Sequence, residues 1–134
     1  MKMTLTAGIT AKRKYRIDRE RTIDFMGEQA RVYATPMLVR DIEVTCREFL
    51  LEHLDAGEDS VGAHVTIDHL APTPLGLTVK IELKVVEVDR RKVVFAFLVK
   101  DIEDVGRGTH VRFVVDSAKT HERLAAKRAR AGLA

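Results

Sequence analysis

The sequence predicts an α+β protein in which a curved antiparallel sheet wraps around one long central helix. Three observations carry this. Between residues 35 and 54 apolar side chains recur at the spacing of one helical face. Between 61 and 115 they alternate with polar ones in successive runs, the pattern of half-buried strands. The connections between those runs are short, so the strands are antiparallel neighbours, and the helix is the layer that covers one face of their sheet.

The elements follow in order. Residues 8–17 form a modest first strand, and 18–22 a turn or short connection. Thr35-Pro36 is a helix start, because Thr caps and Pro suits the first helical position. Leu38, Ile42, Cys46, Phe49 and Leu50 then share one face. The helix is expected to reach about Leu54, with Gly57 stopping it. Val61, Ala63, Val65 and Ile67 alternate with Gly62, His64, Thr66 and Asp68 as a half-buried strand, and 71–76 is a rigid Pro-rich loop. Leu77, Val79, Ile81, Leu83 and Val85 mark a long strand whose phase slips at Val85-Val86, where a bulge is expected. Residues 89–92 are a hairpin turn. Val93–Val99 is richer in apolar residues and is read as central. A turn at 101–104 leads to a last strand over 105–115, and Ser117 opens a short basic helix or tail to residue 134.

A chain of 134 residues at 15.1 kDa fits a single domain spanning 1–134. Its hydrophobic fraction of 46% allows a real core and argues against disorder. No apolar run approaches the roughly 18 residues of a membrane span, and the N-terminus lacks the apolar stretch of a signal peptide. A single cysteine, Cys46, permits no internal disulfide, which points to a reducing compartment, the cytoplasm. It also removes every multi-cysteine zinc motif. Without Trp, and with 5% aromatic residues, the chain is poorly equipped to stack single-stranded nucleic acid. Charge is unevenly placed: residues 1–22 carry +5, 117–134 carry +4 and the middle −6. The basic ends are solvated surface by default. Lys12, Arg13, Lys14, Lys127 and Arg128 are the candidates for phosphate contacts.

Several residues carry chemistry, each with a plainer reading beside it. Thr35 is explained by capping alone. Glu43 is a carboxylate among Ile42, Val44 and Cys46. It is either buried for a reason or on a polar side with Arg40 and Arg47, at salt-bridge spacing. His69 falls on the apolar phase of its strand, where a lone histidine is commonly a satisfied core residue. His64 lies on the opposite face, which weakens a metal site of His64, Asp68 and His69. Arg112 reads as a surface residue, Gly106 and Gly108 as relief of crowding, and Cys46 as a small core residue.

The layout, with Tyr33-Ala34-Thr35, Ser60-Val61-Gly62, Ile67-Asp68-His69, residues 73–79 (TPLGLTV) and residues 106–110 (GRGTH), resembles the hot-dog fold and, within it, the fluoroacetyl-CoA thioesterase family. The resemblance runs from about residue 8 to 116 and rests on the order and spacing of these words. It implies a reactive centre of a Thr, a Glu eight residues later, and a His seven residues after a backbone-donating Gly. Thr35, Glu43, Gly62 and His69 stand at those spacings, and Arg112 stands where the family has an Arg. It implies an acyl-CoA thioesterase that needs no cofactor, CoA being part of the substrate. The segment before Thr35 is shorter than the one bearing the family's aromatic lid, so strict fluoroacetyl selectivity is not expected.

Thioester hydrolysis needs an activated nucleophile, a base and an oxyanion donor. His69 is the natural base, and the Gly62 N–H the oxyanion donor. Thr35 attacks or positions the carbonyl, and Glu43 orients His69 or attacks; the residues alone do not choose. On one helix Thr35 and Glu43 lie about 12 Å apart along the axis and roughly 80° around it. A second copy is therefore expected to complete the site in a homodimer or a tetramer built from it. A hydratase of the same fold and a non-catalytic acyl-CoA binding module are the alternatives.

Overall fold

Five antiparallel strands and a 17-residue helix make up the body of the structure, a computed structural model that describes residues 1–133. Ala134, the end of the expected basic tail, lies outside the described residues. The chain runs β1 (Thr10–Arg16), β2 (Thr22–Ile23), β3 (Val32–Tyr33), α1 (Thr35–Leu51), β4 (Glu58–His69), β5 (Thr78–Asp89), β6 (Lys92–Lys100), β7 (Asp104–Asp116) and α2 (Ser117–Arg130). The main sheet has the order β1-β5-β6-β7-β4, so β6 is the central strand that its apolar content predicts. The pair β2–β3 stands apart as a small second sheet. Two-residue strands are too short to show alternation, and the sequence reading passes over them.

α1 lies against the sheet through Leu38, Ile42, Cys46 and Leu50, all fully buried. They meet Val79, Ile81, Leu83 and Val85 of β5 and Val93, Phe95, Phe97 and Val99 of β6 in one core. Each such side chain contributes about 1.5–3 kcal/mol of hydrophobic stabilisation. Thr35 is not the cap. Ala34 holds that position in extended conformation, and no side chain caps the helix; Thr35 is its first residue, with Pro36 in the first turn. The helix ends at Leu51, short of the expected Leu54, and Gly57, at φ +83°, serves the turn into β4 instead.

The phase slip at Val85-Val86 is a bulge, where the β5–β6 register shifts between Val85 and Glu87. The hairpin turn is two residues, with Arg90 at φ +57°, the backbone hand that tight hairpins require. β4 departs from expectation. It is an edge strand paired only to β7, and Val61 and Val65 remain 44% and 37% exposed rather than half-buried in the core.

A carboxylate lies fully inside the fold. Asp41 of α1 accepts hydrogen bonds from the Tyr33 hydroxyl at 2.5 Å and from Arg21 Nε and Nη2 at 2.9 and 3.2 Å. Burial first, and then the Asp41 contact, drives the Tyr33 phenol far above its ordinary pKa, so it stays a donor. This knot ties the irregular segment 18–34 to the helix. α2 has no buried residue and is capped by Asp116, whose carboxylate accepts from the Lys119 N–H at 3.0 Å. No described helix is long and apolar enough to cross a membrane.

Candidate active site

The sequence-predicted residues fall into two groups, and both hang on β4. The first forms where the start of α1 meets the end of β4. Thr35 Oγ1 lies 2.7 Å from Nδ1 of His69. The other ring nitrogen, Nε2, is buried and has no hydrogen-bond partner among the described residues. His69 is therefore not a satisfied core histidine. Burial holds its pKa below the ordinary 6.5, which keeps the ring neutral and able to accept a proton.

This pair opens on an apolar cavity of about 510 Å³, walled by Ile23, Phe25, Val32, Leu70 and Pro72. The irregular segment before α1, expected to lack an aromatic lid, nonetheless puts Phe25 on the cavity wall, where it is 86% exposed.

The second group lies two helical turns along α1. Arg112 is 4% exposed, so it is no surface residue. Its Nε donates to Ser60 Oγ and its Nη2 to the Ser60 carbonyl, both at 2.8 Å. Its Nη1 donates to His110 Nε2 at 3.2 Å and stands 3.7 Å from Glu43 Oε2. Glu43 thus pairs with a β-strand arginine. The helical candidates go elsewhere, Arg40 to Asp41 and Arg47 to Asp59. Gly62 sits against this group: a Cβ there would meet Glu43 Oε2 at 3.1 Å, His110 Cε1 at 3.3 Å and Arg112 Nη1 at 3.4 Å. Burial lowers the Arg112 pKa, and burial pushes the neighbouring Cys46 thiol up to about 12, so Cys46 is no nucleophile at neutral pH.

Gly62 and His69 are seven residues apart and in a regular strand would point to opposite faces. The β4–β7 register shifts between Gly62 and His64. On either side of that bulge, Gly62 is opposite Arg112 and His69 opposite Gly106, two β7 positions of the same phase, so both face the helix. Gly108 answers to crowding, as expected, since a Cβ there would lie 1.9 Å from the Thr66 carbonyl oxygen.

Within one chain the structure brings Thr35 to His69, and Glu43 to Gly62 and Arg112. It does not bring the two groups together, as about 12 Å of helix separates them. Sequence reasoning missed Ser60, His110 and the Asp41 knot. A signal existed for two of these. His110 is two residues from Arg112 and so shares its strand face. Asp41 sits three residues after Leu38 and four before Thr45, within the buried stripe.

The model of the fluoroacetyl-CoA-specific thioesterases matches residues 17–118. A fluoroacetyl-CoA thioesterase of Streptantibioticus cattleyicolor is 31% identical over 97 residues, covering 72% of this chain and 70% of that one. The solved structure of the fluoroacetyl-CoA thioesterase FlK superposes with a TM-score of 0.84 at 25% identity, covering 92% of this chain and 97% of that one. A hot-dog-like protein from Thermanaerovibrio acidaminovorans shares the fold, with a TM-score of 0.83 at 22% identity over 90% of this chain and 91% of its own. The sheet wrapped on α1 is a hot-dog fold.

Proposed function

Since the chain belongs to the fluoroacetyl-CoA-specific thioesterase family and is an acyl-CoA thioester hydrolase, we propose that Thr35 and His69 carry its chemistry in a site completed by a second copy. The 2.7 Å contact between Thr35 Oγ1 and His69 Nδ1, at the mouth of an apolar cavity, carries this reading. With its proton on Nε2, His69 takes the hydroxyl proton of Thr35 at Nδ1 as the oxygen attacks the thioester carbonyl. The C–S bond breaks and CoA leaves as the thiol, taking that proton. Water then attacks the Thr35 ester, His69 again serving as base, and the carboxylic acid departs. The oxyanion of each step needs a fixed donor, the role of the Gly62 N–H, while Arg112 holds Glu43 against it.

A homodimer supplies what one chain lacks. β4 is an edge with unpaired N–H and C=O groups and exposed Val61 and Val65, features that single chains avoid. Antiparallel pairing of two β4 edges about a two-fold axis at Thr66, with Ala63 left out of the ladder by the bulge, would set Gly62 of one copy opposite His69 of the other. The Glu43–Gly62–Arg112 group of one copy would then face the Thr35–His69 pair of its partner. A tetramer would join two such dimers.

The acyl group is held by the cavity. A volume of about 510 Å³ lies in the range, roughly 300–1,000 Å³, that encloses whole drug-sized ligands, far more than a two-carbon acyl group fills. Acyl-CoA esters longer than fluoroacetyl-CoA are the expected substrates. A reducing compartment, the cytoplasm, suits a chain whose one cysteine is buried and free.

Thiol release from a panel of acyl-CoA esters, from acetyl and fluoroacetyl to long-chain and aromatic, tests the reading, with wild type and His69→Ala side by side. Hydrolysis of at least one ester, lost in the variant, is expected. Release that the variant leaves untouched would remove His69 from the mechanism.

A further inference from the structure

The function above assigns no role to the most buried histidine of the chain. His110, on β7, is 2% exposed and faces α1 between the two parts of the Glu43 group. Its Nδ1 lies 2.9 Å from the His64 carbonyl oxygen, and its Nε2 lies 3.2 Å from Arg112 Nη1. Both partners are of one kind only. A carbonyl oxygen accepts and a guanidinium donates. The ring must therefore carry its proton on Nδ1 and present a bare Nε2, which fixes both its tautomer and its orientation.

Each of those bonds reaches a proposed functional group. His64 is the first residue past the β4 bulge, and Gly62 is the last residue before it. The bond to the His64 carbonyl thus pins the irregular backbone that aims Gly62. The ring edge adds to this: His110 Cε1 is 3.3 Å from where a Gly62 Cβ would stand. On the other side the ring accepts from the one guanidinium nitrogen, Nη1, that points at Glu43; Nε and Nη2 are already spent on Ser60. Without His110, Nη1 loses its only hydrogen-bond acceptor among the described residues, and the bulge loses a side-chain anchor.

We infer that His110 is a positioning residue of the thioesterase site, a neutral Nδ1–H imidazole wedged between the β4 bulge and Arg112 that sets the placement of Gly62 and Glu43 together. The inference rests on the function proposed above. It assigns His110 no contact with substrate and no proton transfer. Its effect is geometric, and a displacement of about 1 Å in a reacting constellation costs on the order of 100-fold in rate.

Two measurements test it. In the wild-type protein at pH 8, imidazole ¹⁵N shifts are expected to show His110 protonated on Nδ1 and bare on Nε2; the opposite tautomer, or an exchanging mixture, overturns the inference whatever the enzyme does. In thiol-release kinetics, His110→Phe keeps the ring shape and removes both bonds. A fall in kcat of about 10- to 100-fold with KM within about threefold is expected. His110→Asn, whose amide nitrogen can still reach the His64 carbonyl, is expected to recover part of the loss, and it serves as the folded variant if the Phe variant does not fold. A wild type that hydrolyses acyl-CoA while both variants keep its kcat, with or without a lower Tm, overturns the role of His110 alone. A wild type that hydrolyses no ester overturns the thioesterase reading first and this one with it.

Discussion

Thr35 and His69 are 34 residues apart in the chain, yet the Thr35 hydroxyl oxygen lies 2.7 Å from Nδ1 of His69. One stands on the first turn of α1 and the other at the last residue of β4, so the contact exists only because the edge strand runs back past the helix start. This hydroxyl can be tested without disturbing the fold, because it caps nothing. Thr35→Val, close in shape, is expected to lower kcat by about 100-fold or more, and Thr35→Ser to retain most of it. Thiol release reads both, and an unchanged Val variant would sink the role of Thr35.

The pH profile follows from burial. Desolvation lowers the His69 pKa beneath 6.5, so the base remains unprotonated into mildly acidic solution. The acidic limb of kcat/KM should therefore turn over below pH 6.5. A limb centred at or above that value would place a different group in control.

Stability should share that direction. The His110 pKa is lowered by burial and then by the Arg112 charge, and the His69 pKa by burial. A depressed folded-state value means that the unfolded chain binds the proton more tightly. Stability from these two sites is whole above pH 6.5 and is lost as pH falls through the folded values. Urea unfolding at pH 7.5 and pH 5 should show the lower midpoint at pH 5; equal midpoints would contradict the burial of these rings.

Two glycines separate fold from site. A Cβ at Gly108 would stand 1.9 Å from the Thr66 backbone oxygen, and backbone cannot step aside. Gly108→Ala is expected to force β4 from β7 and cost about 3 kcal/mol, read as a lower Tm. At Gly62 the crowding atoms are ends of side chains, 3.1 to 3.4 Å away, which yield by tenths of an ångström. Gly62→Ala should fold with a Tm near wild type and lose kcat/KM. The reverse pattern would mean that Gly62 is structural.

Asp41 is the costliest polar residue to remove. Asp41→Ala strips the Tyr33 hydroxyl and Arg21 of their shared partner and is expected to cost about 3–5 kcal/mol. Tyr33→Phe leaves the Arg21–Asp41 pair intact and should cost about 1–2 kcal/mol. Urea denaturation distinguishes the two; equal losses would mean that the phenol, not the ion pair, holds the segment.

The proposed β4–β4 pairing gives a last test. Val65→Asp puts a charge at the centre of the expected interface, on a side chain that a single chain leaves 37% exposed. Light scattering should show dimer in the wild type and monomer in the variant, with hydrolysis lost. A fully active monomer would remove the second copy from the site.

Local pattern made the helix, the four long strands, the bulge at Val85-Val86 and the hairpin at 89–92 legible, because periodicities of 3.6 and 2 and the chemistry of turns are written in neighbouring residues. Thr35, Glu43, Gly62, His69 and Arg112 stand out by their resemblance to a family's motifs and spacings, not by any contact that the chain order reveals. Tertiary structure alone decided how they group. It placed β4 at the edge, buried Arg112 and His110 behind it, and gave Glu43 a strand arginine in place of its helical neighbours. It also set the bulge after Gly62 that turns Gly62 and His69 to one face, against the strict alternation that sequence reading assumes. The reason is one of range. Amphipathic period states which face of an element is buried, but which strand lacks a neighbour, and which side chains from distant elements meet, depends on pairings between residues dozens of positions apart.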